Sequence, residues 1–498
     1  MSVLTHEGFI VPYSLLKKRI GPERINALFK KLTVITPQKI GPPIVAKMYE
    51  PGKCDGKWFV RLPRTLIRDL LERKILNSVK VDFAPPTRIG AEPEGTPIPL
   101  QTKLFDNQQL ILEYLMSNVF TPERISGGTA TGILNLRAGL GKTFVAAGVI
   151  SRLRFRTLYI VPKRPLAAQA AKDIAAALPQ LSIANGLQGA EDADIVVLVI
   201  NTALMQPSEF FRGFGLIILD EVHSYCSAQR RRILWRSTWA VLGMSATTED
   251  RADGLDIIAH KELAFDGIIR AENIPGFAHD EVKFDCTAKV IKYYGPPEYT
   301  QNLTHESTGL VFTHYMHEQF LNDKFRLGLA VNELAKLYND GHNVYVFAEE
   351  IELLRRAKEA FEQATGAAES EMFIGGLDDE RLAAISDTAR VLFSTYGYAG
   401  TGISIVRMSA ILFLTPRKAN MKQILARILR RGSDPAIPRV VVDIVDEKTA
   451  LRHQFKERRA AYDQYGFKII TLKVRAPEQA AAAPEQATAA PEQATAAP

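Results

Sequence analysis

The chain has 498 residues, 46% hydrophobic and 23% charged, the proportions of a globular protein with room for about three domains. Its net charge of +7 is unevenly placed: residues 1–100 hold 17 Lys and Arg against 9 Asp and Glu, so the other 398 residues net −1. No run approaches the roughly 18 apolar residues of a membrane span. The N-terminus lacks the apolar core of a secretory signal. Three dispersed cysteines (Cys54, Cys226, Cys286) suit neither a disulfide framework nor a zinc site. A reducing, intracellular setting without a membrane partner is expected. The basic module points to a polyanion, nucleic acid first, or else to a solvated basic surface.

Residues 1–100 read as a small α+β unit. A helix is predicted over 15–32, short strands over Thr33–Thr36 and Lys57–Leu62, and an amphipathic helix over 64–76. Leu66, Ile67, Leu70 and Leu71 would face a core. Arg64 and Arg68, one turn apart, either grip phosphates or form a solvated face. The proline-rich run 84–99 reads as a linker.

From 104 to about 276, strands and helices alternate. Continuous apolar runs at 157–161, 194–200, 215–219 and 240–244 suit buried parallel strands. A second set lies at 343–347, 389–393, 410–414 and 439–444, with a helix over 351–363. An α/β chain with two tandem parallel sheets is expected. The last residues, 476–498, repeat APEQATA with few changes and hold no large apolar side chain. That tail should be disordered. The expected units are 1–100, 101–275, 276–474 and 475–498.

The segment LNLRAGLGKT at 134–143 reads as a strand over 132–136, a glycine turn and a helix over 143–153. Gly139, Leu140 and Gly141 would bring backbone N–H groups close to phosphate oxygens. Lys142 would reach the β- and γ-phosphates of ATP, and the Thr143 hydroxyl would hold Mg²⁺. Leu136 stands where the pattern usually opens with glycine. Downstream, LIILDEVH at 216–223 ends a strand in two carboxylates. Asp220 would hold Mg²⁺ through water, Glu221 would orient and deprotonate an attacking water, and His223 would sense the γ-phosphate. In QILARILR, Gln423, Arg427 and Arg430 recur at i, i+4 and i+7, hence on one helical face. Either that face is solvated, or its arginines reach a nucleotide on the other sheet domain.

The ordered set AGLGKT, YIVPKRPLAAQ, LDEVH, MSATTEDRADG, YVFAEE, YGYAGTGISI and QILARILRRG resembles the motif series of superfamily-two DExH helicases, over roughly 104–465. DRADG resembles the branch holding XPB-type, UvsW-type and restriction translocases, while GTGISI and the segment VVDIVDEKTALRHQFKERRAAYDQYGF resemble the UvsW type and also the poxvirus type. GFIVPYSLLKK and LTVITP are most like the poxvirus-type transcript-release helicases of large DNA viruses. The resemblance implies two tandem RecA-like parallel-sheet domains preceded by a small α+β accessory domain. It implies ATP and Mg²⁺, catalytic Lys142, Asp220, Glu221, Arg427 and Arg430, and Arg430 as the arginine finger. Gly402 would face nucleotide and nucleic acid, Gln108 would contact the nucleotide, and Thr202 would touch a nucleic-acid strand. Ala426, Thr248 and Phe105 depart from the usual glycine, proline and arginine.

Two readings follow. One is an ATP-driven motor moving 3′ to 5′ on duplex DNA, branched DNA or a DNA–RNA hybrid, with RNA and the transcription machinery as further partners. The other is a nucleic-acid-dependent ATPase switch without processive unwinding. A metabolic P-loop kinase is disfavoured by the second α/β unit. If viral, the protein would act in host cytoplasm or nucleus, or travel in the virion.

Overall fold

The computed structural model describes the chain apart from residues 38–41, 55, 94, 138, 247–252, 279–283, 305–308, 310, 376, 378, 400–404, 418–419, 431 and 478–498, and apart from the side chains of 313–315, 379–380, 382–383 and 399. The APEQATA tail from residue 478 on, Gly402 and Thr248 thus lie outside the described residues. Among the described residues, no helix is long and apolar enough to cross a membrane.

Two seven-stranded, all-parallel sheets follow one another. The first runs Ile183–Asn185, Ile195–Val199, Thr157–Val161, Leu216–Asp220, Ala240–Ser245, Ala130–Asn135, Ile268–Arg270. The second runs Ser370–Met372, Val391–Thr395, Val344–Ala348, Ala410–Phe413, Arg439–Asp446, Cys286–Tyr294, Lys468–Arg475. Strands such as Leu216–Asp220 and Val344–Ala348 are buried at every residue. That is why they read as unbroken apolar runs, with helices covering both faces. Cys286–Tyr294 escaped the sequence reading because buried residues alternate with Thr287, Lys289 and Lys292.

Ahead of them lies a five-stranded mixed sheet: Glu50–Cys54, Lys57–Leu62, Gly8–Pro12, Ser2–Thr5, Val79–Asp82. The helix Tyr13–Lys31 is broken at Gly21, whose φ of 76° precedes Pro22. The second helix is short, Leu66–Glu72.

The N-terminal unit is built into the first sheet domain. Leu4, Phe9, Val11, Leu62 and Leu66 share one continuous core with Ile133, Leu158, Ile217 and Val241 from one face of the first sheet. Both ring nitrogens of His6 are used, Nδ1 with the Ser237 carbonyl at 2.9 Å and Nε2 accepting from the Ala84 N–H at 3.0 Å. Only a neutral ring satisfies both, and burial lowers its pKa accordingly. Arg61 pairs with Glu262 at 3.0 Å, and both are almost fully buried.

These contacts correct the reading of Arg64. It is 1% exposed and lies neither on a phosphate-gripping nor on a solvated face. Its guanidinium donates to the Arg236 carbonyl at 3.3 Å and its N–H to Glu262 at 3.4 Å. Arg68 is half-exposed but is engaged by Asp266 at 2.8 Å. Both arginines bind the N-terminal unit to the helix Ile257–Leu263 and the turn after it.

The proline-rich run is likewise a strap rather than a loose linker. Ile89 and Ile98 are buried, and their N–H groups bond the Arg154 and Ser151 carbonyls, each at 3.0 Å. Arg154 donates back to the carbonyls of Ile89, Gly90, Pro93 and Thr96. The expectation of a clean boundary here fails, because the run satisfies its backbone on the first domain. Without residues 1–95 the remainder should aggregate or melt well below full length, as thermal unfolding would report. An unchanged melting temperature would show that the shared core is dispensable.

Glu262→Ala strands the buried Arg61 charge, whose guanidinium lies 3.5 Å over the Trp235 ring. Unfolding in urea should show a loss of about 3–5 kcal/mol, the range for breaking a buried pair. A loss under about 1 kcal/mol would mean that water reaches Arg61.

Candidate active site

The strand Ala130–Asn135 delivers the glycine loop at the sheet's carboxyl edge. Leu136 is buried, and its N–H bonds the Ser245 carbonyl at 2.9 Å. The position usually held by glycine is therefore a packed core position here. Gly139 and Gly141 adopt φ of 87° and 77°, which L-residues rarely take. The helix Lys142–Leu153 then begins, its free N–H groups and positive dipole end facing the loop.

Gln108 braces this loop from the helix Asp106–Asn118. Its Oε1 accepts from the Phe105 N–H at 2.9 Å, and its Nε2 donates to the Leu140 carbonyl at 3.0 Å. A Cβ at Gly141 would fall 2.3 Å from that Nε2. Gly141 is thus required twice, for its φ and for the approach of Gln108.

Asp220 ends the central strand Leu216–Asp220, and Glu221 follows in the left-handed region at φ 50°, ψ 50°. Such a conformation costs of order 1–3 kcal/mol in a non-glycine residue and recurs at active sites. Here it turns the Glu221 carboxylate onto the Lys142 ammonium, while the Asp220 carboxylate lies 3.9 Å from the same nitrogen. His223 Nδ1 is 2.7 Å from Ser245 Oγ and 3.4 Å from Glu221 Oε2. The Ser245 hydroxyl donates to Glu221 at 3.4 Å. Lys142, Asp220, Glu221, His223 and Ser245 thus form one network across three strand ends.

Burial pushes the Asp220 carboxyl up to about 6, although Lys142 opposes it. Burial also pushes Glu221 up, but Lys142 and His223 outweigh it and hold this carboxyl below its ordinary value. The two carboxyls are therefore driven apart, one toward the neutral form and one toward the charged form. Burial would lower the Lys142 pKa, yet the two carboxylates raise it. Tyr159, buried on the neighbouring strand, is kept protonated by burial and by Asp220. Its place inside an apolar run concealed it from sequence reading.

In the second sheet domain the helix Met421–Leu425 carries Gln423 and stops. Arg427 and Arg430 lie in the turns that follow, so the three residues do not share one helical face. Arg427 is 5% exposed; burial lowers its pKa, which Tyr345 partly offsets. Burial and the Arg427 charge lower Arg430 to about 10. Lys163 links this region to the first domain, its Nζ donating to the Gly397 carbonyl at 2.6 Å and its charge lying within reach of Arg427. Thr202 sits half-buried in the short helix Ile200–Leu204 at another strand end of the first sheet.

The chain is similar to several known proteins. The family described as type III restriction enzyme, res subunit, matches residues 101–250. A protein of African swine fever virus named as an ATP-dependent RNA helicase is 30% identical over 399 residues, 74% of each chain. Its counterpart from another isolate is 28% identical over 503 residues, covering 94% of this chain and 91% of the relative. The crystal structure of T4 UvsW aligns over 91% of this chain and 96% of its own at 16% identity, with a TM-score of 0.33.

Proposed function

Because this chain belongs to the superfamily-two helicases of large DNA viruses, enzymes that couple ATP hydrolysis to nucleic-acid unwinding, we propose that it is a 3′-to-5′ motor on duplex DNA, branched DNA or DNA–RNA hybrids that releases transcripts from transcription complexes inside infected cells. The Lys142–Glu221–Ser245–His223 network carries the catalytic part of this reading. Gly139, Leu140, Gly141 and Lys142 cradle the phosphates, and Gln108 sets the loop that holds them. Lys142 leaves Glu221 for phosphate when nucleotide arrives, and Glu221 then orients and deprotonates the attacking water. Arg427 and Arg430 approach from the second domain to meet charge that develops on the transferring phosphoryl group.

The donor set fits Mg²⁺: a hydroxyl at Thr143 and the carboxylate Asp220, hard oxygen ligands at the mouth of a phosphate loop. When bound, Mg²⁺ neutralises phosphate charge and so makes the terminal phosphoryl group a better electrophile.

A second reading, action on RNA duplexes, is favoured by the name of the African swine fever virus relative. Recombination or repair by branch migration, and a pure ATPase switch, are further alternatives. Strand displacement on DNA, DNA–RNA and RNA duplexes of one sequence, run beside ATPase assays, separates them. Expected is displacement of the DNA and hybrid substrates. Hydrolysis without any displacement would leave only the switch.

A further inference from the structure

The strand Lys57–Leu62 is fixed at one end and open at the other. At the fixed end, Arg61 is held by Glu262 and lies over Trp235, so the strand is bolted to the first sheet domain. At the open end, Trp58 is 58% exposed. It faces Lys53 across the hairpin, with the Lys53 ammonium 5.9 Å from its ring centre. Lys57 is exposed beside it. Phe59 points to the opposite face and covers Gly52, where a Cβ would come within 2.3 Å of its ring. Strand alternation places Trp58 on the face of the buried Val60 and Leu62, and it is left exposed where the strand runs past that core. A large indole left in water among cations needs a reason, since apolar aromatic surface of this size is normally buried.

Cations lie between the seam of the two sheet domains and the fixed end of this strand, where Glu50 pairs with Arg61 three positions from the Lys53–Trp58 pair. Lys163, which crosses the seam to Gly397, feels the charge of Arg230. Arg231 and Arg232 follow in sequence, and Arg232 is exposed. Arg231 in turn lies within electrostatic reach of Glu50 and Arg61, on the two strands that carry Lys53 and Trp58.

We propose that Arg230–Arg232, Lys53 and Trp58 form a track for one strand of nucleic acid, with phosphates along the cations and an unpaired base stacked on Trp58. This rests on the unwinding function proposed above. Aromatic stacking accepts any base and suits a motor that must move over all sequences. Because Arg61 locks the strand to the first domain, a base held at Trp58 stays fixed to that domain while the second one shifts.

Anisotropy titrations of a labelled oligodeoxythymidylate at several salt concentrations test this in the full chain. Trp58→Ala should weaken binding about 5- to 150-fold, the range for one stacked base, with an unchanged salt slope. Trp58→Phe should restore most of the loss. Arg231→Ala should instead make the slope shallower by about 0.7, one phosphate contact on a single strand. Wild-type tryptophan fluorescence should be quenched on binding, and most of that quench should vanish in Trp58→Ala. If the wild type binds and Trp58→Ala binds equally well, the track is wrong and Trp58 belongs to a protein contact. If the wild type binds no nucleic acid at any salt, the unwinding function falls and the track with it.

Discussion

Lys142→Ala should abolish nucleic-acid-stimulated ATP hydrolysis. The ammonium sits at the start of the helix Lys142–Leu153, 11% exposed, between the glycine loop and two carboxylates. On the proposed reading its removal deletes a phosphate contact, and it leaves Asp220 and Glu221 without the Lys142 cation. The variant should keep its secondary structure by far-UV circular dichroism but lose stability at neutral pH. The sign follows from Glu221. Its pKa is held below 4.5 in the fold chiefly because Lys142 and His223 outweigh burial. A depressed carboxyl contributes stability above its unfolded pKa and loses it as pH falls through the folded value. The stability gap between wild type and Lys142→Ala should therefore be full at pH 7 and close below about pH 4.5. Near-normal phosphate release by the variant would remove Lys142 from the nucleotide site.

Arg430→Ala should slow turnover by about 10³–10⁵ while leaving nucleotide affinity nearly unchanged, the signature of an arginine that acts on transition-state charge. Arg430 is buried beside Arg427, and that proximity, after burial itself, lowers its pKa to about 10. Two neighbouring guanidiniums repel each other, so anionic charge arriving from the first domain relieves the pair most when that charge is greatest. Arg430→Lys should not restore the rate, because a point ammonium lacks the planar fork. Single-turnover hydrolysis beside nucleotide-binding titrations reads both quantities. Equal losses in binding and turnover would make Arg430 a ground-state ligand.

The residues that converge at the candidate site could be picked out in sequence because each lies in a local pattern. A glycine loop needs residues without Cβ at Gly139 and Gly141, and the helix that follows must start at once. Asp220 and Glu221 close an apolar run, and a buried parallel strand has only its carboxyl end free for polar chemistry. The tandem sheets were legible for the same reason, since strands buried on both faces spell out their apolar character residue by residue.

What lay out of reach depends on partners distant in the chain. Arg64 has the same local pattern whether it meets phosphate, water or the Arg236 carbonyl; only the docking of 1–83 onto the first sheet selects the last. The proline-rich run has the composition of a linker, yet the Arg154 guanidinium and the carbonyls around it turn it into a strap. Gln423, Arg427 and Arg430 have helical spacing in sequence, yet the helix ends at Leu425 and the two arginines follow in turns, buried beside Tyr345. Local pattern records which groups must be buried or exposed along a segment. Which buried cation meets which carboxylate, as Arg61 meets Glu262 across 201 residues of chain, is settled only when the packed elements close around them.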